Sequence, residues 1–156
     1  MPENEPKLEN LLHILADVYE SKLPFNKILG LKIDRLEPDS VRVAFDMKPE
    51  LVGNYVHGVL HGGVISSVLD ATGGIVASIG VVEKLQSSPP EEIALGISKV
   101  GTIDLRVDYL RPGLGQWFYA TGVVMRSGRK VTVARMELYN DLDKLIAVGT
   151  GTYIVG

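Results

Sequence analysis

The chain has 156 residues, 46% of them hydrophobic and 22% charged, which is enough apolar material for one compact domain and too little length for two. Sixteen Lys plus Arg against 19 Asp plus Glu leave a net charge of -3, so the chain as a whole offers no attraction to nucleic acid or to an anionic membrane. With no cysteine, disulfides, thiolate nucleophiles, Cys-zinc sites and iron–sulfur ligation are all excluded.

Met1 to Asn10 carries Glu3, Asn4, Glu5 and Glu9 and has no basic segment leading into an apolar core. A secretory signal is therefore not expected, and a cytoplasmic location is the default. From Lys7 to Lys22, Leu8, Leu11, Leu12, Leu15, Val18 and Tyr19 recur at helical spacing, and Pro24 follows as a stop. This predicts an amphipathic N-terminal helix within an extension over residues 1–27. Gly30 to Leu36 and Val41 to Met47 alternate in short runs about Glu37-Pro38-Asp39-Ser40, which reads as a hairpin.

Gly53 to Gly58 is a polar loop leading through His61-Gly62-Gly63 into a long helix predicted to reach about Leu85, where Ser87-Ser88-Pro89-Pro90 ends it. Val64 to Val82 contains one charge, Asp70, over about the length of a bilayer span. Ser66, Ser67, Thr72, Gly73, Gly74, Ser78 and Gly80 dilute it, and a central carboxylate would cost roughly 2.5–3.5 kcal/mol on insertion scales. The stretch is read as a helix buried in protein.

Four segments of strand character follow: Ile97–Leu110, Gln116–Arg126, Lys130–Asn140 and Lys144–Val155. Arg111-Pro112-Gly113, Ser127-Gly128-Arg129 and Asp141-Leu142-Asp143 separate them and read as hairpin turns. The expected architecture is α+β, with about six mainly antiparallel strands and one long helix. At 1.5 Å per residue a helix of roughly 22 residues is about 33 Å long, and in so small a domain only a strongly curved sheet covers it.

Asp70 is the one ionisable group between Val64 and Val82, placed where sheet and helix should exclude water. Such a carboxylate must recover its lost hydration through hydrogen bonds or take up a proton. Gly62 and Gly63, at the start of the helix, leave backbone N–H groups with no Cβ to obstruct a ligand, and the helix dipole favours negative charge there. That combination can build an oxyanion site. Gly62 and Asp70 are eight positions apart, about 12 Å along one helix, so the two cannot serve one carbonyl from the same chain. A single site made from both requires a two-fold dimer with antiparallel helices.

Gly58-Val59-Leu60-His61-Gly62-Gly63 followed by Leu69-Asp70 resembles the signature of hotdog-fold thioesterases of the phenylacetic-acid-degradation (PaaI-like) type. Asp104 to Pro112 resembles that family's central strand and Ala147 to Tyr153 its small-residue final strand, so the likeness spans roughly residues 28 to 155. The resemblance implies a hotdog fold, a curved antiparallel sheet around one central helix, forming homodimers that often pair into tetramers. It further implies acyl-CoA hydrolysis without a cofactor or metal. Gly62 would donate to the thioester carbonyl, Asp70 of the partner would act as general base or nucleophile, and His61 would orient the loop or touch the thioester region rather than serve as the main base. Thr102 matches a hydroxyl residue that helps place water in some relatives. The family's Asn lies six residues before the histidine; that position is Tyr55 here, and a one-residue insertion in the loop would bring in Asn54.

Strict alternation puts Thr102 on one face with Asp104, Arg106 and Asp108, opposite Ile103, Leu105, Val107 and Tyr109, unless a bulge at Gly101 intervenes. For the CoA moiety the candidates are Gly63 and the cations Arg111, Arg126, Arg129 and Lys130, the latter because a net-negative chain needs local cations to hold a phosphorylated nucleotide. His57 and His61 stand four apart, but Gly58 lies between them and no third metal ligand accompanies them. The rivals are a non-enzymatic acyl-CoA-binding module and a hotdog hydratase or dehydratase. The latter needs a His–acid pair, and His61 lies about 180° round the helix from Asp70.

Overall fold

The computed structural model describes residues 7–156; residues 1–6, which begin the extension and carry part of the signal-segment reading, lie outside the described residues. The N-terminal segment forms α1 (Leu8–Asp17), a π turn (Val18–Lys22) and α2 (Pro24–Leu29). The single helix expected to Lys22 thus changes its winding at Val18. Leu11, Leu12 and Leu15 are its buried stripe, and the π turn lets Tyr19 reach Ser78 while the adjacent Glu20 accepts from the Ile33 backbone N–H.

Strands β1 (Lys32–Glu37) and β2 (Ser40–Asp46) form the expected hairpin. A two-stranded ribbon follows, β3 (Val52–Asn54) with β4 (Val59–Leu60), and helix α3 (Gly62–Leu85) begins directly after it. Next comes α4 (Pro90–Ser98), where a strand had been expected to begin at Ile97. Pro90 sits at the first helical position, with Glu91 and Glu92 in the positive first turn, so the Pro-Pro step that ends one helix opens another.

The remaining strands are β5 (Gly101–Tyr109), β6 (Trp117–Ser127), β7 (Val131–Asn140) and β8 (Leu145–Ile154). The sheet has six strands in the order β1-β2-β6-β7-β8-β5, every pair antiparallel. Arg111-Pro112-Gly113 is therefore no hairpin turn. The chain crosses there from one side of the sheet towards the other, because β5 pairs with β8 while β6 pairs with β2 and β7. Leu110 and Arg111 both donate to the Ile146 carbonyl, which keeps the start of the crossing against β8.

Helix α3 packs against β2, β5, β6, β7 and β8, so the sheet wraps it as its length requires. Among the described residues it is the one helix long and apolar enough to cross a membrane, and it lies inside the sheet instead. Its Val68, Leu69, Ile75, Ile79 and Val82 meet Val43, Phe118, Ala120, Met136 and Leu138 in one core. Alternate residues of β2 and β7 face inward, which is how period-two patterning becomes a buried face. This is the α+β hotdog architecture.

Candidate active site

The site begins with a register shift. Thr102 pairs with Tyr153 and Asp104 with Thr152, so β5 carries one extra residue, Ile103, against β8. The bulge reverses the alternation, so Thr102 shares the helix-facing side with Leu105 and Val107 rather than lying with Asp104 and Arg106. The expected face assignment is corrected, with the bulge at Ile103 and not Gly101. Ile103 itself is 56% exposed.

Asp70 is half-buried on α3, not shut away as its neighbours suggested. Its Oδ1 accepts from Thr102 Oγ1 at 2.8 Å and from the Tyr153 hydroxyl at 3.2 Å. Hydrogen bonds thus replace part of the water that burial removes. Burial first, and then the neighbouring Asp70 charge, push the Tyr153 hydroxyl above the usual tyrosine range, which keeps it a donor. Burial likewise raises Tyr19, whose hydroxyl lies 3.0 Å from Ser78 Oγ.

Asp70, Thr102 and Tyr153 line a cavity of about 210 Å³ together with Ser67, Gly101 and, from the N-terminal segment, Tyr19, Leu23 and Phe25. The apolar side chains Leu23 and Phe25 remain 37% and 56% exposed. A carboxylate with hydroxyl partners beside an apolar wall can activate water next to a greasy substrate. Larger cavities lie elsewhere, between α1 and β1, beside α4 and around Arg111 and Lys144, and none of these contains Asp70.

The second group of residues gathers at the start of α3. His61 is the N-cap, and its Nδ1 accepts from the Gly63 N–H at 2.8 Å. Gly63 is thereby already occupied, contrary to the expectation of two free donors; among the described residues Gly62 N–H has no acceptor. Tyr109 lies beside Gly62 and donates to its carbonyl at 3.1 Å, with Ser66 Oγ also in contact. Tyr109 itself is 53% exposed.

Asn54 closes the preceding turn, its Oδ1 accepting from the backbone of Val56 and His57 at 3.0 and 3.3 Å. His57 lies in that turn and not on the helix with His61. Since Gly62 and Asp70 share α3, the eight-position step from one to the other keeps their separation of about 12 Å.

The candidate CoA cations do not converge. Arg111 donates to the Leu145 carbonyl at 2.8 Å and lines a cavity with Lys144, whereas Arg129 lines a different one with Lys84 and Lys99 near the end of α3. Arg126 is exposed on β6, and Lys130 uses its carbonyl to accept from Val155.

Sequence reasoning missed Tyr153, Tyr109 and Tyr19 at these sites. Tyr153 had a visible signal, as the one bulky residue in the run Gly149-Thr150-Gly151-Thr152-Tyr153.

Comparison with known proteins agrees with this fold. The sequence pattern of the Thioesterase superfamily matches residues 57–147, a span that includes His61, Gly62, Asp70 and Thr102. The chain is 42% identical over 148 residues to the medium/long-chain acyl-CoA thioesterase YigI of Escherichia coli (strain K12), covering 95% of this chain and 96% of that protein. A crystal structure from Shewanella oneidensis, described as related to the thioesterase superfamily, superposes with a TM-score of 0.92 at 48% identity, covering 98% of this chain and all 100% of the other. A thioesterase family protein from Silicibacter pomeroyi superposes at 0.72 with 27% identity, covering 93% and 99% of the two chains. With more than half of its length matched to the family pattern and a near full-length relative above 40% identity, this chain belongs to the thioesterase superfamily.

Proposed function

We propose that this protein hydrolyses medium- to long-chain acyl-CoA thioesters to a carboxylic acid and CoA, working as a homodimer of the PaaI-like arrangement. The observation that carries the reading is the half-buried Asp70 carboxylate, held by Thr102 and Tyr153 at a cavity whose other wall is apolar Leu23 and Phe25. The name of the Escherichia coli relative supports the substrate class.

In this reading Gly62 N–H of the partner subunit polarises the thioester carbonyl while Asp70 removes a proton from water. The water oxygen adds to the carbonyl carbon, the tetrahedral oxyanion is held by that N–H, and collapse breaks the C–S bond. The sulfur leaves as CoA thiolate and takes up a proton. Direct attack by Asp70 would give an acyl-enzyme anhydride. Single turnover in labelled water tests the direct attack, because only an anhydride opened by water at the Asp70 carbonyl carbon places the label in Asp70 and not in the released acid.

The dimer is supported by the separation of Gly62 from Asp70 and by the sheet itself. Strand β5 ends the strand order, so its outer edge is unpaired in the protomer, and it carries the exposed apolar residues Ile103 and Tyr109. Thiol release from acyl-CoAs of graded length, with wild type compared with Asp70→Asn at equal dimer content, tests the function. A loss of kcat by orders of magnitude with the dimer intact is the expected result. Undiminished turnover would remove Asp70 from the mechanism, and binding without turnover in wild type would assign an acyl-CoA-binding module instead.

A further inference from the structure

Tyr153 lies on β8 inside the core, 1% exposed, yet its hydroxyl ends at Asp70. Room for the ring exists because two neighbours have no side chain. A Cβ at Gly151 would come 2.6 Å from the ring, and one at Gly73, three residues after Asp70 on α3, would overlap the hydroxyl. The hydroxyl reaches two oxygens of the same residue, the Asp70 backbone carbonyl at 3.1 Å and Oδ1 at 3.2 Å.

A phenylalanine would fill this space as well, so packing alone gives no reason for a hydroxyl. Burying one costs free energy unless it is satisfied, and both of its acceptors belong to Asp70. With Thr102 on the same carboxylate oxygen, Oδ1 has two donors. Among the described residues Oδ2 has none, and Asp70 lines the cavity.

The geometry points to Tyr153 as a positioning residue: from the interior it ties the carboxylate of Asp70 to that residue's own backbone carbonyl and so fixes which oxygen is left to meet water. This rests on the reading of Asp70 as the base. A residue that positions the base without touching substrate changes kcat and leaves substrate binding alone. Its effect also vanishes once the base is gone.

The test is Tyr153→Phe, which keeps the ring. Expected are a fall in kcat of about tenfold or more, from the loss of a hydrogen bond to a charged group, and a KM within about twofold of wild type. In the Asp70→Asn background the same change should add no further loss. An unchanged kcat, a rise confined to KM, or full additivity with Asp70→Asn would overturn the proposal. If Tyr153→Phe does not fold, Gly151→Ala, which keeps the phenol but displaces its ring, is read by the same criteria. If wild type hydrolyses no acyl-CoA, the functional reading fails separately. The positional claim is then decided by a crystal structure of Tyr153→Phe: a rotated Asp70 carboxylate upholds it, and an unmoved one refutes it.

Discussion

Thr102 on β5 donates to Asp70 on α3 at 2.8 Å, and it can do so because Ile103 is an extra residue in its strand. Remove the bulge and alternation would turn that hydroxyl to the outer face. A hydrogen bond to a charged group contributes about 1.5–3 kcal/mol, so Thr102→Val should lower kcat about 10- to 100-fold, while Thr102→Ser, which keeps the hydroxyl, should retain most activity. Steady-state assay of both variants decides it. Undiminished kcat in Thr102→Val would show that the hydroxyl does not matter.

Gly62 offers a test that isolates one N–H. It occupies the first helical position, where proline is favoured, and the preceding His61 has φ -63° and ψ 136°, the extended geometry that a residue before proline adopts. Gly62→Pro should therefore fold with a melting temperature close to wild type yet lose about 10²- to 10³-fold in kcat by deleting the oxyanion donor. Near-normal kcat would place the donor elsewhere.

Leu23 and Phe25 bring the N-terminal segment to the cavity that contains Asp70. Both are partly exposed, so serine at either position should cost little stability. Contact with an acyl chain is worth about 0.8 kcal/mol per buried CH₂. Leu23→Ser and Phe25→Ser should thus lower kcat/KM for long acyl-CoAs more than for short ones. Parallel losses at every chain length would remove this wall from substrate selection.

Alkaline stability follows from tyrosines. The Tyr139 hydroxyl donates to the Glu137 carboxylate, and that bond, followed by burial and the Glu137 charge, raises its pKa from 10.0 to about 12. Because the folded value lies above the unfolded one, the contribution is complete below about pH 10 and is lost as pH rises through about 12. Tyr153 shifts in the same direction. Melting temperature should accordingly hold between about pH 8 and 9.5 and decline above about pH 10, with a shallower decline in Tyr139→Phe. The prediction fails if the two proteins decline in parallel.

Local pattern by itself determined a good deal here. The uncharged run around Asp70, the His61-Gly62-Gly63 start, the Pro-bounded N-terminal helix and the β1-β2 hairpin all express spacing between residues near in sequence, and each appears in the structure. The resemblance carried by those same residues led to the fold. Only tertiary structure decided that β5 runs beside β8, that Ile103 bulges and turns Thr102 inward, and that Tyr153 reaches Asp70 through the space left by Gly73 and Gly151. Strand pairing joins residues about fifty apart in the chain, and no local periodicity records which strands meet or where one slips by a residue. Asp70 was therefore legible as a lone charge on an apolar helix, whereas the hydroxyls that hold it became visible only when β5 and β8 closed over that helix.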